Sequence, residues 1–146
     1  MSQSKEEKNS LNMAGEYGVC SELHKRGITA NITFGKEKAV DIVVLKDKIV
    51  WTIEVKTSMR NEIVTQFLKN FELDTNTSPH PDFWVLVHIN DETFATNFYV
   101  LTHKEIAEEH KKKYGNVGKH NGVFKLPISQ LEKYKNKWDT IINYFK

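Results

Sequence analysis

Asp41, Glu54 and Lys56 are the residues of this sequence whose types and spacing best suit chemistry. They stand in two β-rich runs, residues 39–46 and 49–57, separated by Asp47-Lys48, the length of a two-residue hairpin turn. The register imposed by such a turn sets Val40 against Val55, Ile42 against Ile53 and Val44 against Trp51, giving one continuous apolar face. On the opposite face it sets Asp41 against Glu54. Like charges placed directly opposite cost a few tenths to about 1 kcal/mol, with Cβ atoms only ~4.5–5.5 Å apart. A divalent cation between them removes that cost. Lys56 lies two residues beyond Glu54, so the pleat puts its ammonium on the same face. One or two carboxylates, with water and phosphate in the remaining positions, are the ligands that Mg²⁺ prefers. Metal-assisted phosphodiester hydrolysis is the natural chemistry of such a set. The same three residues also suit a plain ion-pair cluster on a solvated sheet face.

These residues need elements to position them. A helix is expected to start near Ser10 or Leu11, carrying Leu11, Ala14, Val19, Cys20 and Leu23, with Gly27 after Lys25-Arg26 as its stop. Residues 28–34 read as a strand leading into the hairpin. Beyond Ser58, the spacing of Ile63, Val64, Phe67, Leu68 and Phe71 predicts a helix over 61–71, and residues 74–82 read as a loop. Residues 83–89 form an apolar run consistent with an interior strand, and 97–101 its neighbour. Thr102-x-x-Glu105 is a capping box for a helix ending near Gly115. Pro127 and Ser129-x-x-Glu132 predict a last helix with Leu131, Tyr134, Trp138, Ile141 and Phe145 on one stripe.

The whole chain, 146 residues with 39% apolar and 27% charged, fits a single α/β domain behind a polar tail of residues 1–9. No window approaches the roughly 18 apolar residues of a membrane span, and the first residues lack the apolar core of a signal peptide, so a cytoplasmic protein without a membrane partner is expected. A single cysteine, Cys20, excludes an internal disulfide framework and a Cys-rich zinc site. The formal charge of +2 neither demands nor forbids nucleic acid. The runs His110-Lys111-Lys112-Lys113 and Lys133-x-Lys135-x-Lys137 could each track phosphates, although each taken alone reads more readily as the solvated face of a helix. His103, His110 and His120 lack the spacing of a zinc helix, and the loop 114–122 lacks a P-loop sequence. His80-Pro81-Asp82 reads as turn chemistry, with Asp82 able to approach the acids if the strand after it lies beside Glu54.

Taken in order, Ala14-Gly15-Glu16-Tyr17-Gly18-Val19 on the first helix, Val40-Asp41-Ile42-Val43-Val44, and Ile53-Glu54-Val55-Lys56 resemble the PD-(D/E)XK phosphodiesterase superfamily, which includes restriction endonucleases and Holliday-junction resolvases. The resemblance covers roughly residues 10–90. It implies a restriction-endonuclease-like αβββαβ core with a mixed central sheet flanked by helices. It makes Asp41 and Glu54 metal ligands, completed by the Val55 carbonyl, around Mg²⁺ or Mn²⁺. Lys56 then positions the attacking water, and Glu16 contacts the metal or its waters from the helix. Val40 stands where the name-giving proline would be, a position that varies widely in such families. No distinctive target-recognition segment is visible, so the resemblance implies a DNA endonuclease that is structure-directed or non-specific. In size the chain is similar to archaeal Holliday-junction resolvases, which implies a homodimer. Lys25, Arg26 and Arg60 would then hold the DNA strand, with Gln66 contacting a phosphate. The alternative is a nuclease-like fold that binds DNA or a protein without hydrolysis.

Overall fold

The computed structural model describes residues 3–33, 40–65, 80–115 and 123–145. Helix α1 (Lys5–Lys25) starts well before Ser10, because Ser4 and Glu7 close a capping box. The Ser4 hydroxyl accepts the Glu7 N–H at 3.1 Å, and the Glu7 carboxylate accepts the Ser4 N–H at 2.7 Å. Such a cap is worth about 1 kcal/mol, and it makes residues 5–9, expected in a tail, the first turns of the helix. The helix ends as expected at Gly27, whose φ of 79° is in the left-handed region open to glycine.

Three strands follow: β1 (Ala30–Ile32), shorter than the expected 28–34, then β2 (Ile42–Lys46) and β3 (Ile49–Ser58). The hairpin forms in the expected register, with Ile42 opposite Ile53 and Val44 opposite Trp51. Asp47 (φ 52°) and Lys48 (φ 69°) both adopt positive φ, the conformation that matches a two-residue turn to strand twist. The ladder stops at Ile42, so the expected Val40–Val55 pair is absent. The sheet is completed by β5 (Phe83–Ile89) and β6 (Thr96–Thr102), in the order β1-β2-β3-β5-β6. Only β3 and β5 run parallel, which makes the sheet mixed.

Two regions differ from expectation. Residues 62–65, predicted as helix, are a strand, β4 (Glu62–Thr65), paired antiparallel with β7 (Phe124–Pro127). Ile63 and Thr65 are buried while Val64 is exposed, a two-residue alternation that the adjacent Ile63-Val64 pair disguised. Residues 66–79, including the rest of that predicted helix and most of the loop after it, lie outside the described residues, as do 116–122.

The predicted last helix is instead a series of 3₁₀ turns, Ile128–Gln130 and Glu132–Tyr134, then the single α-helical turn α3 (Asp139–Ile142) and a 3₁₀ turn at Asn143–Phe145. Leu131 and Tyr134 pack on one side of the sheet, whereas Trp138 and Ile141 pack on the other. One straight helix cannot serve both sides. The chain rounds the outer edge of β6, where Lys135 bridges to Tyr99 and the Asn136 N–H donates to the Phe98 carbonyl at 2.7 Å.

The capping box Thr102-x-x-Glu105 opens α2 (His103–Tyr114), which ends at Gly115 as expected. Helix α1 covers one sheet face, burying Val19 and Leu23 against Ile42, Val44, Ile53 and Val85. The other face packs Trp84, Leu86, Tyr99 and Leu101 under α2 and β7, through Ile106, Phe124 and Leu126. Hence β5 is buried at every position but His88, the pattern of an interior strand. None of the described helices is long and apolar enough to cross a membrane.

Candidate active site

Asp41 lies in a bend just before β2, with its N–H donating to the Ile53 carbonyl at 3.2 Å and its carbonyl accepting the Thr33 N–H at 2.9 Å. Its carboxylate Oδ2 accepts the Val55 N–H at 2.8 Å, replacing the backbone acceptor that a longer β2 would have supplied. A strand residue directs its N–H and C=O to the same edge. The Val55 carbonyl therefore points into the gap that Asp41 occupies. The Asp41 carboxyl also hydrogen-bonds the Glu54 carboxyl, so the expected acid pair forms through side chains at the point where the ladder ends.

Glu54 faces away from α1, with its side chain 16% exposed, and the Lys56 ammonium lies 3.2 Å from its Oε1. Burial first and the charge of Asp41 second push the Glu54 carboxyl up to about 7, against the opposing pull of Lys56. Among the described residues no group of three His, Cys, Asp or Glu side chains could hold a metal. A cation here would take two carboxylates and the Val55 carbonyl, with water or phosphate for the rest, a donor set that suits Mg²⁺.

Glu16 is 4% exposed on the inner side of α1. The neighbouring Gly15 sets the approach, since a Cβ there would lie 1.8 Å from Thr57 Oγ1 and 3.0 Å from Thr57 Cβ. Gly18 meets Phe98 of β6. At about 100° per residue, Glu16 points to the opposite side of the helix from Gly18. Because β2 lies on one side of β3 and β5 and β6 on the other, Glu16 leans toward the β2 side, where Asp41 lies. Its charge acts on Cys20, one turn on, whose thiol is pushed up to about 11 by burial first and Glu16 second.

The residues expected to hold substrate are dispersed. Lys25 and Arg26, about 14 Å along the helix axis from Glu16, both pair with Glu22, at 3.4 and 2.9 Å. Arg26 also stacks over Trp138 at 5.1 Å. Arg60 is exposed in the connection between β3 and β4, and Gln66 lies outside the described residues. Asp82 does not join the acids: its carboxylate accepts the Thr52 N–H at 2.9 Å and the Thr52 hydroxyl at 3.1 Å, tying β5 to β3.

Nothing in the sequence singles out Trp84, yet it is the lateral neighbour of Glu54 on β5. Its indole N–H donates to His103 Nδ1 at 3.0 Å, and His103 stacks on His80 at 3.8 Å. Burial, then His80, holds the His103 imidazole down to about 4. An apolar run gives no sign of which tryptophan edge will meet an acid. Only strand order, absent from the sequence pattern, supplies it.

No protein-family model and no curated protein matches the sequence. Among solved structures the chain is similar to a bacterial homing endonuclease, with 14% identity and a TM-score of 0.55, over 98% of this chain and 94% of that one. It is also similar to the Holliday junction resolvase of the archaeal hyperthermophile Archaeoglobus fulgidus, with 14% identity and a TM-score of 0.47, over 83% and 92%. The α1-β1-β2-β3 order leading to β5, with a mixed sheet between helices, is the architecture expected from the resemblance.

Proposed function

We propose that this chain, which has the fold of restriction-endonuclease-like nucleases, is a divalent-metal-dependent DNA endonuclease. The observation that carries the reading is the convergence of Asp41, Glu54 and Lys56 where the β2 ladder opens. Asp41 and Glu54, with the Val55 carbonyl, would hold Mg²⁺, or Mn²⁺ in its place. A bound divalent ion supplies an acidified water and neutralises phosphate charge. Lys56 orients the attacking water and offers its N–H groups to the phosphate. Glu16, on the α1 side of the sheet, would reach the metal or its waters past Asp41, where the β2 ladder ends. Duplex or junction substrates present two strands, and a homodimer would bring one such site to each. This reading places the protein in the cytoplasm with its DNA.

The test is cleavage of supercoiled plasmid and of a four-way junction with Mg²⁺, Mn²⁺ or EDTA, for the parent, Glu54→Ala and Lys56→Ala. Metal-dependent nicking lost in both variants supports the reading, and undiminished nicking in either rejects it. A second reading, a non-catalytic DNA- or protein-binding module, is favoured by one observation: Glu54 already has the Lys56 ammonium 3.2 Å away as a partner without any cation. Absence of both cleavage and calorimetric Mg²⁺ or Mn²⁺ binding would select it.

A further inference from the structure

The two lysine runs, Lys111–Lys113 and Lys133–Lys137, lie apart in sequence and converge in the fold. Lys112 on α2 and Lys133 in the 3₁₀ turn both reach Glu109 Oε1, at 3.3 and 2.8 Å, and the same oxygen accepts the Tyr134 hydroxyl at 2.7 Å. Glu109 is 7% exposed, so one inward carboxylate holds two outward ammonium groups in place. Around it opens a cleft of about 520 Å³ lined by Lys112, Lys113, Lys133, Ser129, Gln130 and the acidic Glu132. The described residues between 105 and 137 carry seven lysines against four glutamates, with no aspartate or arginine. Lys111, Lys112, Lys113, Lys125, Lys133 and Lys137 are all exposed. By contrast Lys25 and Arg26 share one glutamate on α1.

The position of this face relative to the acid site follows from the sheet. Lys56 pairs with Leu86, Leu86 with Tyr99, and Tyr99 bridges to Lys135. Three inter-strand steps span about 14 Å through the sheet. Tyr134 and Glu109 belong to the same side of the sheet as Glu54 and Lys56. A nucleic-acid strand passing from the acid site over α2 and β7, which close that half of the face, would meet these lysines.

We propose that the lysine face formed by the end of α2, β7 and the Glu132–Tyr134 turn is a second phosphate-backbone contact for DNA, separate from the acid site. Its choice of partner rests on the nuclease reading. The lysines act as point charges along the strand, and Ser129 and Gln130 supply neutral donors to the phosphate oxygens.

The test is anisotropy binding of a fluorescein-labelled duplex in EDTA over a salt series. It compares the parent with two face variants, Lys112→Gln/Lys113→Gln/Lys133→Gln and Lys113→Gln/Lys125→Gln/Lys137→Gln. The second leaves both Glu109 ion pairs intact, so loss of folding in the first does not decide the outcome. A control set, Lys5→Gln/Lys8→Gln/Lys48→Gln, removes equal charge elsewhere. Each lost contact lowers the slope of log affinity against log salt by about 0.9. The expected result is a slope reduced by about two to three in a face variant, at least tenfold weaker binding near 0.1 M salt, and an unchanged control. A parent-like slope in the folded face variants, an equal fall in the control, or a parent that does not bind DNA overturns the proposal. Cleavage measured separately distinguishes the two readings: nicking with no slope change keeps the nuclease and discards the face, and slope loss without nicking does the reverse.

Discussion

Gly15→Ala tests whether the close approach of α1 to β3 sets the site. An added Cβ would sit 1.8 Å from Thr57 Oγ1, 3.2 Å from its Cγ2 and 3.0 Å from its Cβ. Rotating the threonine moves Oγ1 but exchanges it for another substituent, and the 3.0 Å contact persists in every rotamer. The helix and strand must therefore separate, at a cost typical of overpacking, about 1–3 kcal/mol. Alanine favours the helix by up to about 1 kcal/mol over glycine, and Gly18→Ala removes that contribution from the comparison. Gly18 gains the same propensity and meets only the far edge of the Phe98 ring, at 3.2 and 3.3 Å. Gly15→Ala is expected to be about 1–3 kcal/mol less stable than Gly18→Ala. In urea, with a slope of about 2 kcal/mol/M, this is a midpoint lower by roughly 0.5–1.5 M. Thr57→Ala should recover most of the loss in the double variant. Alone it should cost little, because the buried Thr57 hydroxyl has no hydrogen-bond partner among the described residues. Equal midpoints for the two glycine variants, or no recovery by Thr57→Ala, would refute the close-approach argument.

Two further outcomes concern the acids and their neighbours. The Glu54 carboxyl, about 7 in the folded protein against an ordinary 4.5, binds more protons folded than unfolded, so its contribution to stability falls as pH rises through that window, by at most about 3 kcal/mol. His103, held near 4 against 6.5, binds more protons unfolded, so its contribution rises with pH from 4 to 6.5. Urea midpoints from pH 4 to 7.5 should show Glu54→Gln rising more steeply with pH than the parent, and Glu54→Gln/His103→Phe losing that added rise; parallel curves for the parent and Glu54→Gln would sink the assignment. Asp41→Asn keeps an oxygen for the Val55 N–H and should cost less than about 1 kcal/mol, whereas Asp41→Ala strands that donor at a cost of about 1–3 kcal/mol, with equal midpoints for the two refuting the bond's structural role.

The hairpin and its register were legible because they are local. The two-residue spacing of Asp47-Lys48 and the alternation of Ile42, Val44, Trp51 and Ile53 determine each other with no information from elsewhere in the chain. The capping box at Thr102 and the stop at Gly27 were legible for the same reason. The failures are non-local. Ile63 and Leu131 each sit in a helix-like pattern, but Ile63 is claimed by pairing with Leu126 and Leu131 by a chain that must round β6 to reach both faces. Of the site, the side-by-side placement of Asp41, Glu54 and Lys56 could be read from the pleat. The bond from Val55 to Asp41 could not, because it exists only where the ladder fails.

The second face of the sheet explains why the acids lie where they do. On that face β5 and β6 carry Trp84, Leu86, Tyr99 and Leu101, and these are closed over by α2 and β7. Strand β3 carries Thr52, Glu54, Lys56 and Ser58 on the same face, all only partly buried. The boundary between a sealed apolar half and an open polar half therefore runs between β3 and β5, and Glu54 stands on it beside Trp84. A carboxylate there is desolvated on one side and open to solvent on the other. Charges interact more strongly as the surrounding dielectric falls, so the repulsion from Asp41 and the attraction of Lys56 on this group both exceed what the same residues would exert on a fully wetted hairpin. The sealed half thus raises the cost of an unpaired acid pair at an edge of the face that, among the described residues, a cation or a phosphate can enter.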